Sequence, residues 1–275
     1  MTDYRFETQG PTSLYVEIGA GEVTVSATDT AETRNEVTGD DADQVQVRQD
    51  GARISVVAPQ DRVGFLGRSK QVYVEVVLPT GSEVAAKTGS ADITVHGEAG
   101  PAQLRSGSGD VSVETLGGPA LLETGSGDIT VRTAQAQLRV KSGSGDVRIY
   151  HADDATSVST GSGDIHIGQS LGPVAAKTGS GDLQVDDAGT DVSLKSGSGD
   201  CAIGAARRGR MVVTGASSDV RIGVPSGLPV WTDINTLTGD LHSSLESAGA
   251  PEHDDDPYVE LRVTTVSGDI QLHQI

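Results

Sequence analysis

An eighteen-residue period governs this chain. The phrase Thr88-Gly89-Ser90-Ala91-Asp92-Ile93 recurs as Ser106-Gly107-Ser108-Gly109-Asp110-Val111 and as Thr124-Gly125-Ser126-Gly127-Asp128-Ile129. Asp146, Asp164, Asp182 and Asp200 each follow Gly-Ser-Gly again, so the same interval separates successive aspartates from Asp92 to Asp200 without a break. Self-similarity at a fixed spacing marks stacked supersecondary units. Looser copies follow at Asp219, Asp240 and Asp269, where the spacing stretches to 19, 21 and 29. Gly19-Ala20-Gly21-Glu22-Val23 is an early relative of the phrase.

The residues around each aspartate alternate. One and three positions after it stand Val111 and Val113, Ile129 and Val131, Val147 and Ile149. Eight and six positions before it stand Ala102 and Leu104, Ala120 and Leu122, Leu138 and Val140. Apolar side chains at period two, many of them β-branched, predict two strands per repeat with one face of each buried. In an antiparallel meander Gly-Ser-Gly is a hairpin loop; in a parallel solenoid it is a corner between two sheets. A meander tolerates loops of varying length, whereas stacked coils need both corners in register. An unbroken run of equal spacings therefore favours an all-β chain built as a parallel β-solenoid (β-helix), with two strands in each eighteen-residue coil. Composition agrees, since 36 glycines and only 3% aromatic residues suit a thin core and many turns.

The organisation expected is an N-terminal β cap over residues 1–80, regular solenoid repeats over 81–223, and looser coils with a cap over 224–275. Open coil ends expose apolar side chains and strand edges, so both ends must differ from the middle. Tyr4, Phe6, Tyr15, Phe65 and Tyr73 precede the regular repeats, and Trp231 and Tyr258 follow them. Strands are predicted at Leu14–Val16, Val23–Val25, Val45–Val47, Ile54–Val57 and Val72–Val77, with a hairpin turn at Asp50-Gly51. Arg62–Ser69 reads as a mobile loop, and Glu252–Pro257 as a solvated one.

Stacking turns each repeated residue into a column. The Ser/Thr column (Thr88, Ser106, Thr124, Ser142, Thr160, Thr178, Ser196) is expected to face the corner and bond turn amides. The glycines are expected to supply corner conformations of positive φ. Carboxylates one coil apart, about 4.8 Å, repel by nearly 1 kcal/mol even in water, so the aspartates need partners. The expected partners are backbone amides of each aspartate's own turn, with help from Lys87, Arg105, Lys141, Lys177 and Lys195 five positions earlier. The alternative is a calcium ladder of Asp110, Asp128, Asp146, Asp164, Asp182 and Asp200. It resembles the nonapeptide calcium roll in period, but one carboxylate per coil is thin provision for an ion that takes six to eight oxygens.

No catalytic residue, metal ligand or cofactor is assigned. The histidines (His96, His151, His166, His242, His253, His273) lack metal-ligand spacing, and no nucleophile-elbow pattern appears. His166 shares an outward column with Arg148 and Gln184 and is read as solvent-facing. Cys201 replaces Ile or Val at an inward position and is read as a core hydrophobe. Arg207-Arg208-Gly209-Arg210, the one basic cluster, is expected to pair with the acidic surface. Acidic residues outnumber basic ones 39 to 20, for a net charge of −19, which opposes nucleic acid as a partner. No apolar run is long enough to span a membrane, and no secretory signal is visible at Met1-Thr2-Asp3-Tyr4-Arg5. The address expected is the cytoplasm.

The phrase Lys/Arg/Glu, Thr/Ser, Gly-Ser-Gly-Asp, then two apolar positions around one variable residue, preceded by an irregular β region, resembles the bacterial DUF4097 family. The resemblance is clearest from Lys87 to Ile222. It implies a β-strand repeat protein of a family described as candidate adhesins. The function expected is a non-enzymatic interaction or scaffold module with a protein partner or self-association. The alternatives are a secreted or surface adhesin or filament, a calcium-stabilised β-roll, and a carbohydrate-processing β-helix enzyme. The last fits poorly, because the columns are uniform and Tyr150 is the one aromatic residue in the regular coils.

Overall fold

The computed structural model describes residues 2–40, 42–59, 70–246 and 257–275. The loop expected at Arg62–Ser69, and that at Glu252–Pro257 except for its last residue, lie outside the described residues. Among these residues the regular structure is β-strand, apart from one 3-10 turn at Ala42–Gln44. The chain forms two compact units, Met1–Ser142 and Gly143–Ile275.

In the first unit Glu83–Thr88, Ala102–Ser106, Ala120–Thr124 and Leu138–Ser142 lie side by side in one sheet. Asp92–Ala99, Val111–Leu116 and Ile129–Ala134 do so in a second sheet. Every one of these pairs is parallel. Ala102 stands opposite Val84 and Ala120, and Val111 opposite Ile93 and Ile129, each one full repeat away along the chain. That register decides for the solenoid over the meander, since neighbouring strands of a meander run antiparallel. Leu104, Leu122 and Val140 from one sheet and Val113 and Val131 from the other are buried between them. Burying each such side chain contributes about 1.5–3 kcal/mol. The second unit repeats the scheme with Thr156–Ser159, Val174–Thr178, Val192–Ser196 and Gly209–Gly215 in one sheet. Val147–Ala152, Ile165–Ser170, Leu183–Ala188, Cys201–Ala206 and Val220–Val224 form the other.

Chain order and spatial order part company at the outer coils. In the first unit Ser13–Ile18 pairs parallel with both Arg53–Val57 and Glu83–Thr88. Ala20–Thr28 likewise lies between Gln71–Pro79 and Asp92–Ala99. The coil nearest the N-terminus is therefore tucked inside one that follows it, and Glu22 of the early relative falls in register with Asp92. The second unit does the same with its last coil. Val259–Thr265 lies between Gly209–Gly215 and Val230–Thr236, and Ile270–Gln274 between Val220–Val224 and Leu241–Ser243.

Two strands of the first unit run against the rest, Glu32–Gly39 in one sheet and Gln46–Asp50 in the other, while Thr2–Glu7 pairs antiparallel with Glu32–Gly39 and so runs with the rest. The hairpin expected at Asp50-Gly51 joins Gln46–Asp50 to Arg53–Val57, with Gly51 at φ +59°. Thr2–Glu7 and Glu32–Gly39 were not among the predicted strands. In the latter the inward positions are Thr33, Asn35 and Val37, so polar residues hide its alternation.

Candidate functional site: the rung corners and the outward columns

Each rung corner is built from its Ser or Thr. The Ser106 hydroxyl accepts the Gly109 amide at 2.8 Å and donates to the Ala91 carbonyl of the preceding coil at 3.2 Å. Thr124 does the same with Gly127 and Gly109, Thr178 with Gly181 and Gly163, and Ser196 with Gly199 and Gly181. One buried hydroxyl thus closes its own turn and ties it to the preceding coil. This bears out the expectation for that column and adds a bond between coils.

The glycines act differently from expectation. Among the described residues the glycines of positive φ are Gly10, Gly21, Gly39, Gly51, Gly81, Gly97, Gly209, Gly227 and Gly268, and no glycine of the regular Gly-Ser-Gly-Asp corners is among them. Their need is steric. A Cβ on Gly109 would lie 2.1 Å from the Ala91 carbonyl oxygen, and one on Gly127 2.1 Å from that of Gly109. Backbones stacked this closely leave no room for a side chain.

The aspartates also bond across coils rather than within their own turn. Asp92 Oδ1 accepts the Asp110 amide at 2.9 Å, and Asp110 Oδ1 accepts the Asp128 amide at 2.8 Å. In the second unit the chain of bonds runs from Asp146 to Asp164, Asp182 and Asp200. It continues from Asp200 to the Asp219 amide, from Asp219 to Asp269, and from Asp269 to Asp240. The looser copies therefore belong to the same column in spatial rather than chain order. A hydrogen bond to a charged acceptor is worth about 1.5–3 kcal/mol, more than the repulsion of about 1 kcal/mol between neighbouring carboxylates. Among the described residues, no three His, Cys, Asp or Glu side chains gather in the geometry of a metal centre.

In the first unit the basic residues five positions earlier pair with glutamates, not with the aspartates. Glu17, Lys87, Arg105, Glu123 and Lys141 are successive neighbours in one outward column. Lys87 reaches Glu17 at 3.0 Å, while Arg105 and Lys141 close on Glu123 from both sides at 2.8 and 3.0 Å. Glu123, which interrupts the run of cations in sequence, is what holds it together. Hydrogen bonds from the Tyr15 hydroxyl and then from Lys87 keep the Glu17 carboxyl below its ordinary range. In the second unit the same column reads Ser159, Lys177, Lys195 and Thr214, with no carboxylate in it.

On the outer face of the other sheet, Arg148, His166 and Gln184 share a column as expected. His166 Nε2 and Gln184 Nε2 both contact the Asp186 carboxylate, at 2.8 and 2.7 Å. Sequence alone did not associate Asp186 with His166, because the contact is diagonal across coils. Arg207 makes a two-pronged pair with Asp187, Arg208 bonds the Gly189 carbonyl, and Arg210 meets Glu260 at 2.8 Å. The basic cluster is thus absorbed by its neighbours. Cys201 is buried, and burial first, with Asp200 and Asp182 adding to it, pushes its thiol up to about 12. At the outermost coil Trp231 and Tyr258 meet edge to face with centroids 4.8 Å apart.

A family model described as Toastrack DUF4097 matches residues 12–273. No curated protein matches. Among solved structures, a candidate adhesin of Bacteroides fragilis is 14% identical, with a TM-score of 0.44 and 100% of this chain and 96% of that one covered. A candidate adhesin of Parabacteroides distasonis is 12% identical, with a TM-score of 0.45 and coverage of 98% and 96%. A candidate lipid-binding protein of Parabacteroides distasonis is also 12% identical, with a TM-score of 0.46 and the same coverage.

Proposed function

The chain belongs to the Toastrack DUF4097 family, and from that premise and the bonding of its rungs we propose that it is a non-catalytic β-solenoid scaffold. In this reading it is an interaction module whose outward faces meet a protein partner or a second copy of itself. The observation that carries the reading is the use made of the repeated aspartate. A carboxylate that accepts the next coil's amide, rung after rung, serves the frame. The outward columns, by contrast, change from coil to coil, as in Arg148, His166, Gln184 and Ala202. Variable side chains on a rigid, regular frame are what a recognition surface requires.

The compartment proposed with this reading is the cytoplasm. The test is cross-linking of the full chain in its native cell, followed by rebinding of the recovered protein from purified components. Recovery of a partner that rebinds, or of the chain cross-linked to itself, supports the reading. Failure to recover either one overturns it, as does turnover of a glycan by the purified chain. Cell fractionation separates the scaffold from an exported adhesin.

A further inference from the structure

The outermost strands of the two units are finished differently. In the first unit the edges are Thr2–Glu7 and Gln46–Asp50, which carry Asp3, Arg5, Glu7, Arg48 and Asp50. Charges on an edge strand discourage another strand from adding to it. In the second unit Val230–Thr236 and Leu241–Ser243 are the last described strands of their sheets. Both run parallel to the final coil, and both end one strand beyond it. Val230–Thr236 has one charged side chain, Asp233, and Arg262 neutralises it at 3.2 Å. Trp231 within it is 49% exposed, and Leu237 just after it 78%. Among the described residues, unpaired backbone and apolar surface therefore coincide on one level edge.

We propose that a second copy of this chain docks on that edge, with Val230–Thr236 pairing antiparallel with its counterpart about a two-fold axis at Ile234. The inference rests on the scaffold reading and names the partner. The register follows from complementarity. Centring on Ile234 sets Asp233 opposite Asn235 of the second copy, whose amide donates to the carboxylate. It also brings Trp231 against Leu237, in the bend that follows the strand, as an aromatic–aliphatic contact. Centring on Asp233 would oppose two carboxylates, and centring on Thr232 would set Trp231 against Asp233. Both copies use the same patch, so the assembly closes as a dimer. Addition onto the first unit's edge fits poorly. One sheet there runs three strands beyond Ala20–Thr28 and the other two beyond Ser13–Ile18, so its end is uneven as well as charged. Two chains of net charge −19 repel, so added salt strengthens the pairing.

The experiment is sedimentation equilibrium of the full chain over a concentration series at low and high salt. The wild type is expected to show a monomer–dimer equilibrium that tightens with salt. Asn235→Asp opposes like charges twice per dimer and should weaken association about tenfold. The double variant Asp233→Asn with Asn235→Asp should restore it. Both positions are on the surface, and unchanged circular dichroism spectra confirm that the variants fold. A wild type that stays monomeric, an open-ended polymer, an indifferent Asn235→Asp variant or a double variant that fails to recover would each overturn the proposal. A monomeric chain that still captures and rebinds a protein partner leaves the scaffold reading standing and removes this inference alone.

Discussion

Asp50-Gly51 and Gly109-Asp110 are both tight turns of aspartate and glycine, yet they need glycine for different reasons. Gly51 sits at φ +59° with nothing near the position of a Cβ, so its requirement is local and torsional. Gly109 lies outside the left-handed region, and a Cβ there would press on the Ala91 carbonyl oxygen at 2.1 Å. Its requirement comes from the backbone of the preceding coil, one full repeat earlier in the chain. One turn is written in its own few residues. The other is written in its neighbour, and so it repeats.

The largest effect should come from length. One residue inserted between Ser108 and Gly109 puts the Ser106 hydroxyl and the Asp110 amide out of register with the coil before, and should abolish a single cooperative melting transition. The same insertion after Gly51 should leave that transition in place; equal damage at the two sites would erase the distinction. Next comes volume. Gly109→Ala should destabilise the chain by about 3 kcal/mol, because the obstruction is backbone that cannot swing away. Gly51→Ala should cost about 1 kcal/mol, the ordinary penalty of a left-handed residue. Chemical denaturation measures both.

The outer strands should also contain room for improvement. Asn35 is fully buried with neither side-chain polar atom bonded among the described residues, so Asn35→Val should stabilise by about 1–3 kcal/mol in the same assay. Within the rungs, Asp164→Ala removes the acceptor of the Asp182 amide and should cost about 1 kcal/mol, whereas Asp164→Asn keeps an oxygen there and should be nearly neutral. Calcium should not move the melting temperature of the wild type if amides hold the carboxylates; a large rise would restore the ion ladder.

The smallest effect is electrostatic. The Glu17 carboxyl is held below its ordinary range, so its contribution is present above that range and lost as pH falls through the depressed value. Glu17→Gln should therefore flatten the acid side of a melting-temperature profile without changing its alkaline side.

Much of the frame was legible because its causes are local or periodic. Val111, Val113, Ile129 and Val131 alternate, and the constant spacing of the aspartates converted alternation into stacked strands. Thr33 and Asn35 occupy inward positions of Glu32–Gly39, and polar residues there carry no strand signal. The repeated aspartates stand out in the sequence, yet the amide each accepts belongs to the next coil and not to its own turn. A side chain that reaches its own turn and one that reaches the next coil look the same in a linear chain. Asp186 beside His166 was missed for a related reason, since the contact joins different offsets of neighbouring coils, whereas the repeat pattern aligns only equal ones.

By itself, the order of residues determined the rung: its length, its two strands, its inward apolar face and its hydroxyl-and-carboxylate corner. Only the tertiary structure decided where the first and last coils go. Ser13–Thr28 and the coil ending at Gln274 each slip between two others, so the carboxylate column runs Asp219, Asp269, Asp240. Backbone amides and carbonyls are the same in every coil and carry no record of chain position. Any strand with the right inward pattern satisfies an open edge, and which one does so is set by how the outer coils cover the core.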